Sequence, residues 1–525
     1  MSVLRGTGRR TPDAATAQEP RGGTAIGRRR AGLIAGPLVL VLVLLAPVGL
    51  TRPQHALSAV MALALVYWVT EAVPVPVTAL LTLALCVLLN VPDTRAPAGT
   101  PGAVVFAGFS SPTVFLLIGG FVLAQAMVRH GLNRRIALGV LSLPGVAASS
   151  RRVVVTFAVL GALLSSVMAN GAVATMLLPI VIGIDRSISE LVVRVEPTLA
   201  GRPLRFSTAL MLATAYGTTV GGLLTPIGDP SNLIGQEFMA TQLHLRISFG
   251  HWVVLAAPLV VVLLTAMCVT VLALNPPELR RVVGARALVA AERRRLGPLS
   301  RGELNTLVAF AAAVALWVLP PVSALAFGSG SHVYRVIENR DDPAAAALLA
   351  ATLLFVLPVA WRRRTFTLTW RDAAAIDWGT VLLIGTGLTL GKLMLSTGLA
   401  ALAGQALAGV MASSGPWVLW LVIAATAIAV SEITSNTASV GIIVPVVPVL
   451  AASCGADPAS TSLVAVFAAT YGFMLPISTS ANAIAYSSGA VSIRQMARVG
   501  AVVDLSGVVV IAAGVWVMVG IAGVT

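Results

Sequence analysis

From residue 31 to the C-terminus the chain alternates long apolar stretches with short polar or arginine-bearing ones. The apolar segments fall at 31–50, 55–92, 113–130, 152–183, 206–223 and 250–274, and then at 304–320, 344–360, 379–396, 416–432, 439–452, 462–477 and 505–523. A run of roughly 20 apolar residues is what an α-helix needs to cross the hydrocarbon core of a bilayer. Segment 55–92 is too long for one crossing and is expected to form two helices broken at Pro74 and Pro76, because proline removes a backbone donor and crowds the preceding turn. The run 31–50 lacks the small-residue cleavage pattern of a signal peptide and reads as a retained first span. The pattern predicts an all-α polytopic membrane protein of about 11 transmembrane helices.

Some polar residues interrupt the apolar stretches instead of bounding them. Ser165-Ser166-Val-Met-Ala169-Asn170-Gly171 and Ser431-Glu432-Ile-Thr434-Ser435-Asn436-Thr437 each predict a re-entrant helical hairpin, around 165–175 and 431–441, whose tip enters the membrane without crossing it. The stretches 224–232 and 475–482, with Pro226, Pro230 and Pro476, predict unwound breaks within two spans. Irregular backbone survives at membrane depth only where it is buried in protein or lines a wet cavity. Freed carbonyls and Asn, Ser and Thr oxygens can hold a hard cation there, while half-helix N-termini can hold an anionic group.

The two halves match each other in order. Thr113 to Leu132 aligns without gaps on Thr380 to Leu399, sharing Gly120/Gly387, Leu123/Leu390, Met127/Met394 and Gly131/Gly398. Asn170 to Pro179 aligns on Asn436 to Pro445, and Pro226-Ile227 with Asn232 aligns on Pro476-Ile477 with Asn482. Three ordered matches predict an internal duplication, and paired interruptions in two inverted repeats are a transporter signature.

Composition sharpens this reading. Hydrophobic residues make up 57% and charged ones 10%, against about 25% charged in a typical soluble domain; a soluble multidomain enzyme could not cover its surface. Lys and Arg total 35 against 20 acidic residues, a net +15, and every one of the 35 except Lys392 is arginine. The arginines cluster at 278–301 and 361–371, which places those loops and the N-terminus on the cytoplasmic side and removes nucleic acid as a partner. The expected organisation is a disordered basic tail (1–30), a first membrane half (31–277), a basic cytoplasmic linker (278–303) and a second membrane half (304–525). Cys86, Cys268, Cys454 and five scattered histidines suggest neither disulfides nor a metal set. Trp68, Trp252, Trp317, Trp361, Trp370 and Trp378 fall near span ends, as interfacial belts do. No nucleophile–base pair, metal set or nucleotide loop argues for an enzyme.

Four motifs carry a family resemblance: Trp68-Val-Thr-Glu71-Ala-Val-Pro74-Val-Pro76-Val-Thr78; Gly119-Gly120-Phe121 with Gly131-Leu-Asn-Arg-Arg-Ile-Ala-Leu138; Ser435-Asn436-Thr437; and Phe473-Met-Leu-Pro476 with Asn482-Ala-Ile484. From about residue 60 onward the chain resembles the divalent anion/sodium symporters, which carry di- and tricarboxylates or sulfate. The resemblance implies a dimer with a scaffold part and a transport part that moves as an elevator across the plasma or inner membrane. It implies Na⁺ as coupling ion, with H⁺ or anion exchange as the alternative, and no organic cofactor. Carried over by position, one cation site takes Ser165, Asn170 and the backbone near Gly228. The other takes Ser431, Thr434, Asn436 and the backbone near Ser478, while the small anionic substrate meets Asn170, Gly171, Asn436, Thr437, Asp229 and Thr479. Thr225-Pro-Ile-Gly-Asp229-Pro is also similar to antiporters of the wider ion-transporter superfamily.

Three departures stand out against the family pattern: Ala169 and Gly171 flank Asn170 where Ser and Thr are usual, Asp229 replaces Thr or Ser, and Ser480-Ala481 replaces two prolines. An ionisable residue inside a membrane is a functional candidate. Asp229 is either the cap of the half-helix after it or a coupling residue, a Na⁺ ligand or proton carrier, with a cargo unlike a standard dicarboxylate. Glu71 and Glu432 are expected to brace helix breaks through backbone hydrogen bonds, and Lys392 to snorkel or pair with a carboxylate.

Overall fold

The computed structural model describes residues 23–92, 100–146, 149–195, 204–279, 285–328, 330–340, 342–411 and 415–522. The chain opens with α1 (Gly23–Leu45), α2 (Arg52–Thr70), α3 (Val75–Leu88) and the short α4 (Pro101–Phe106). Then come α5 (Pro112–His130), α6 (Leu132–Leu141), α7 (Ser150–Ser165), α8 (Asn170–Val195), α9 (Arg205–Gly222), α10 (Pro230–Gln242) and α11 (Phe249–Leu274). Between the halves lie α12 (Ala285–Arg295), α13 (Arg301–Phe327), α14 (His332–Glu338), α15 (Pro343–Val356), a small antiparallel hairpin pairing Pro358–Ala360 with Thr365–Phe366, and α16 (Trp370–Ala373). The second half holds α17 (Trp378–Ser396), α18 (Leu399–Met411), α19 (Pro416–Ile433), α20 (Asn436–Ile443), α21 (Val447–Ser453), α22 (Pro458–Ala469), α23 (Ser480–Ser487) and α24 (Ile493–Ala522). Among the described residues six helices, α5, α11, α13, α17, α19 and α24, are long and apolar enough to cross a membrane. The pair α20 and α21, bent by 42° at a short break, makes a seventh if counted as one span. The chain is an all-α, multi-pass membrane protein.

The stretches α5–α11 and α17–α24 run through the same order of elements: long helix, short helix, hairpin, buried helix, break, short helix, long helix. Gly131 and Gly398, aligned in sequence, both turn the chain with positive φ (71° and 77°) between the first two helices, a conformation glycine adopts without penalty. The halves also differ. α8 runs through Pro179 as one helix, whereas its counterpart divides into α20 and α21 around Pro445. The first break spans 223–229, close to expectation, but the second spans 470–479 and begins well before residue 475.

α9 is buried on every side from Phe206 to Gly222 and lies against α7. A β-carbon on Gly217 would stand 2.4 Å from the Ala158 carbonyl oxygen, and one on Gly221 2.2 Å from Ala162 Cα. Small residues thus bring the two backbones into contact, the usual means by which membrane helices associate.

Several sequence expectations change here. α1 begins at Gly23, inside the expected tail, while residues 1–22 lie outside the described residues. Glu71 does not brace the break after α2: its side chain is exposed and pairs with Arg28 at 3.1 Å. Pro74 and Pro76 bring no N–H groups to that break, so it has fewer orphan donors to satisfy. Trp252 and Trp317 are buried rather than interfacial, donating at 3.0 Å to the carbonyls of Leu223 and Pro343, and Trp68 is buried too. Trp361, Trp370 and Trp378 are exposed. Lys392 is exposed on α17, and no ion pair of it occurs among the described residues. The basic segment after residue 284 is docked: Arg135 on α6 grips Glu303 at 2.6 and 3.1 Å and the carbonyls of Leu296, Gly297 and Pro298 at 3.0–3.2 Å.

Candidate functional site

The hairpin between α7 and α8 turns at 166–169, and the one between α19 and α20 at 434–435. In each, a serine on the incoming helix donates to the first asparagine of the outgoing one: Ser165 to Asn170 Oδ1, and Ser431 to Asn436 Oδ1 at 2.9 Å. Spacing and partners are the same in both halves. The breaks are tied in matching fashion. Asn232 Nδ2 donates to the carbonyls of Gly222 and Thr225 at 2.8 and 2.9 Å, and Asn482 Nδ2 to those of Gly472 and Leu475 at 3.5 and 3.2 Å. Each asparagine spans its break from ten and seven residues downstream, so helix is lost there without leaving those carbonyls unpaired.

The longer second break needs more support. The Glu432 carboxylate accepts from the Met474 and Leu475 amides, both at 2.8 Å, and the Tyr216 hydroxyl donates to the Phe473 carbonyl at 2.8 Å. The expectation that Glu432 braces a helix break holds.

Four helix N-termini reach one cavity of about 360 Å³. α8 contributes Asn170 and Gly171, α20 contributes Asn436 and Thr437 after Ser435, α10 contributes Pro230 after Asp229, and α23 contributes Ser480 after Thr479. Three of these ends are capped by side chains: Asp229 accepts from Ser231 N at 2.9 Å, Ser435 from Ala438 N at 3.3 Å and Thr479 from Asn482 N at 3.1 Å. The first turns of a helix carry unsatisfied N–H groups and about half a positive charge. Four of them around one cavity suit an anion, and among the described residues no Lys, Arg or His lines it.

Behind the asparagines the polar atoms are oxygens. A β-carbon on Gly472 would stand 2.5 Å from Ser478 Oγ and 3.1 Å from both Glu432 Oε1 and Ser431 Oγ. In the first half, one on Gly228 would stand 2.6 and 2.9 Å from the carbonyl oxygens of Gly222 and Ser165, and one on Gly222 2.8 Å from Asn170 Oδ1. Ser478 Oγ has no hydrogen-bond partner although buried. Such sets of neutral and anionic oxygens, close to glycines that leave room, fit a hard cation such as Na⁺.

The structure gathers most of the residues expected from the sequence. Asn170, Gly171, Asp229, Asn436, Thr437, Ser478 and Thr479 line one cavity, with Ser165, Ser431 and Gly228 immediately behind. Thr434 is not brought in through its side chain, because its hydroxyl bonds Val430 O at 2.8 Å and Ser439 Oγ at 2.7 Å. Asp229 is indeed the cap of α10, and it does more: its Oδ2 accepts from Asn170 Nδ2 at 3.0 Å and Asn436 Nδ2 at 3.4 Å, joining the two hairpins. Two departures from the family pattern also meet, since a β-carbon on Gly171 would stand 2.5 Å from Ser480 Oγ. The Ser480 side chain thus fills the space that a side chain at 171 would need. The sequence assigned no site role to Ser480, Asp377 and Thr380, which line the cavity, or to Gly472, which adjoins the oxygens behind it. Thr380 opens the duplicated block and Asp377 lies three residues before it, which is the one signal that could have found those two.

A bundle of buried, broken and hairpin helices around an anion-suited cavity, flanked by oxygen sets for cations, defines the class of the secondary transporters. The chain belongs to the sodium:sulfate symporter family, among the divalent anion/sodium symporters: the family's transmembrane region matches residues 29–522. It is a family of transporters, not of enzymes. The chain is 31% identical over 492 residues to the sodium-dependent dicarboxylate transporter SdcS of Staphylococcus saprophyticus, covering 93% of this chain and 91% of that one. It is 30% identical over 485 residues to SdcS of Staphylococcus aureus strain USA300, covering 91% and 89%. In fold it resembles the Alcanivorax borkumensis YdaH transporter, with a TM-score of 0.52 at 18% identity over 90% of this chain and 99% of that one.

Proposed function

We propose that the protein is a Na⁺-coupled symporter of small dicarboxylate-type anions in the plasma membrane. The observation that carries this is the convergence of four helix N-termini on one cavity that also abuts two oxygen sets. The family supports it, as do relatives named as sodium-dependent dicarboxylate transporters. In this reading the substrate meets Asn170, Gly171, Asn436, Thr437, Asp229 and Thr479. One Na⁺ is held by Ser165, Asn170 and the Gly228 backbone, and another by Ser431, Asn436 and the backbone near Ser478. The two like-ordered halves act as inverted repeats of an about 11-span protein with two re-entrant hairpins. The hairpins and broken helices move as a unit against a scaffold in a homodimer whose N-terminus is cytoplasmic.

The test is uptake of radiolabelled succinate and sulfate into proteoliposomes under an inward Na⁺ gradient or an equal K⁺ gradient. The account expects accumulation with Na⁺ alone. Equal uptake in K⁺, sustained by anion trapped inside, would instead make the protein an exchanger and overturn Na⁺ coupling.

A further inference from the structure

The hydrogen-bond donors that an incoming carboxylate would meet first are the side-chain amides of the two hairpin asparagines. Both amides are held in a fixed orientation, because Asn170 Oδ1 accepts from Ser165 and Asn436 Oδ1 from Ser431. That turns the Asn170 NH₂ group toward Asp229 and sets the Asn436 NH₂ group between Asp229 and the Thr470 carbonyl, which accepts from it at 3.3 Å. Asp229 Oδ2 accepts from Asn170 at 3.0 Å and from Asn436 at 3.4 Å, while Oδ1 accepts the Ser231 amide at 2.9 Å. Three N–H donors converge on Asp229, the arrangement that favours the ionised form of a carboxyl group. Asp229 occupies the position at which one carboxylate of a cargo dianion would bind both hairpins.

The second half shows what the site looks like without that charge. Thr479, aligned with Asp229, caps α23 through a neutral hydroxyl. A second acid, Asp377, also lines the cavity, engaged with Thr380 N at 3.1 Å and Thr380 Oγ1 at 2.5 Å, and among the described residues no cationic side chain lines the cavity to balance either. Next to a fixed carboxylate a dianion is disfavoured, whereas an ammonium group is favoured because the buried oxygen gains a charge-assisted hydrogen bond.

We propose that Asp229 sets the cargo class: the site selects an organic anion of net charge −1 that carries an ammonium group toward Asp229, as in the α-amino dicarboxylates. This rests on reading the cavity as the anion site of a Na⁺-coupled carrier and narrows what that carrier takes. Asp229 acts as a specificity residue that touches the cargo.

The experiment measures dissociation constants of L-aspartate and succinate, in saturating NaCl and in KCl, for purified wild-type protein, D229T and D229N. Threonine keeps a cap, as Thr479 does, and asparagine keeps the shape without the charge. The wild type is expected to bind aspartate at least tenfold more tightly than succinate. D229T should reverse that order, with succinate gaining and aspartate losing about tenfold, and D229N should abolish the aspartate preference. Na⁺-dependent binding that favours succinate in the wild type, or an order unchanged in both variants, overturns the proposal while leaving the carrier intact. If the wild type binds neither of these anions nor sulfate in a Na⁺-dependent way, the carrier reading fails and the proposal with it. The wild-type order decides the matter even if a variant does not fold.

Discussion

Asn170 and Asn436 were legible because an amide inside an apolar stretch is conspicuous, and because each recurs in the other half at the same place in the duplicated block. Asp229 was legible as a charge where a membrane should exclude one, but not its partners. Its bonds to both hairpins join residues 59 and 207 positions apart, and no local pattern encodes such a meeting. The pairing of Gly171 with Ser480 was hidden for the same reason: each looked like an isolated loss from the family pattern until the two stood in contact. That contact makes a prediction. Gly171→Thr alone collides with Ser480 and is expected to weaken anion binding by tenfold or more. Adding Ser480→Gly removes both the Oγ at 2.5 Å and the Cβ at 2.9 Å and should restore most of it. Titration of the single and double variants checks this, and additive losses would contradict it.

Helix identity followed from apolar run length, and the turns at 166–169 and 434–435 from polar interruptions, so most of the helices were visible before folding. Their limits were not. The second break opens at residue 470 rather than 475 because what holds it apart from helix comes from elsewhere: Glu432 of α19 takes two of its amides and Tyr216 of α9 fills one of its carbonyls. Glu432→Ala would leave two amides unpaired, at a cost of about 1–3 kcal/mol each. The expected result is a clearly lower melting temperature for Glu432→Ala than for Glu432→Gln, which keeps one acceptor oxygen. Equal melting temperatures for the two would mean that the break is held by other contacts. Tryptophans at span ends misled for a related reason: Trp252 lies at such an end, yet its N–H goes to the Leu223 carbonyl that the first break frees.

At the scale of the whole molecule, a sequence with 10% charge and a net +15 places no cationic side chain, among the described residues, on the candidate cavity. In the proposed function, anion recognition therefore falls to helix N-termini and to the cations proposed behind the asparagines. Asn170 and Asn436 reach both places, each turning its oxygen toward a serine of the proposed cation set and its amide toward Asp229. This shared use of two side chains is what should couple ion to cargo. By linkage, a cation that tightens anion binding must itself bind more tightly, by the same factor, when the anion is present. The most direct test is the equilibrium dissociation constant of the preferred anion, measured on purified protein across a Na⁺ series at constant ionic strength. The account predicts that the constant falls by at least tenfold as Na⁺ replaces K⁺, and that Asn436→Ala flattens the dependence. A constant indifferent to Na⁺ in the unaltered protein would contradict it.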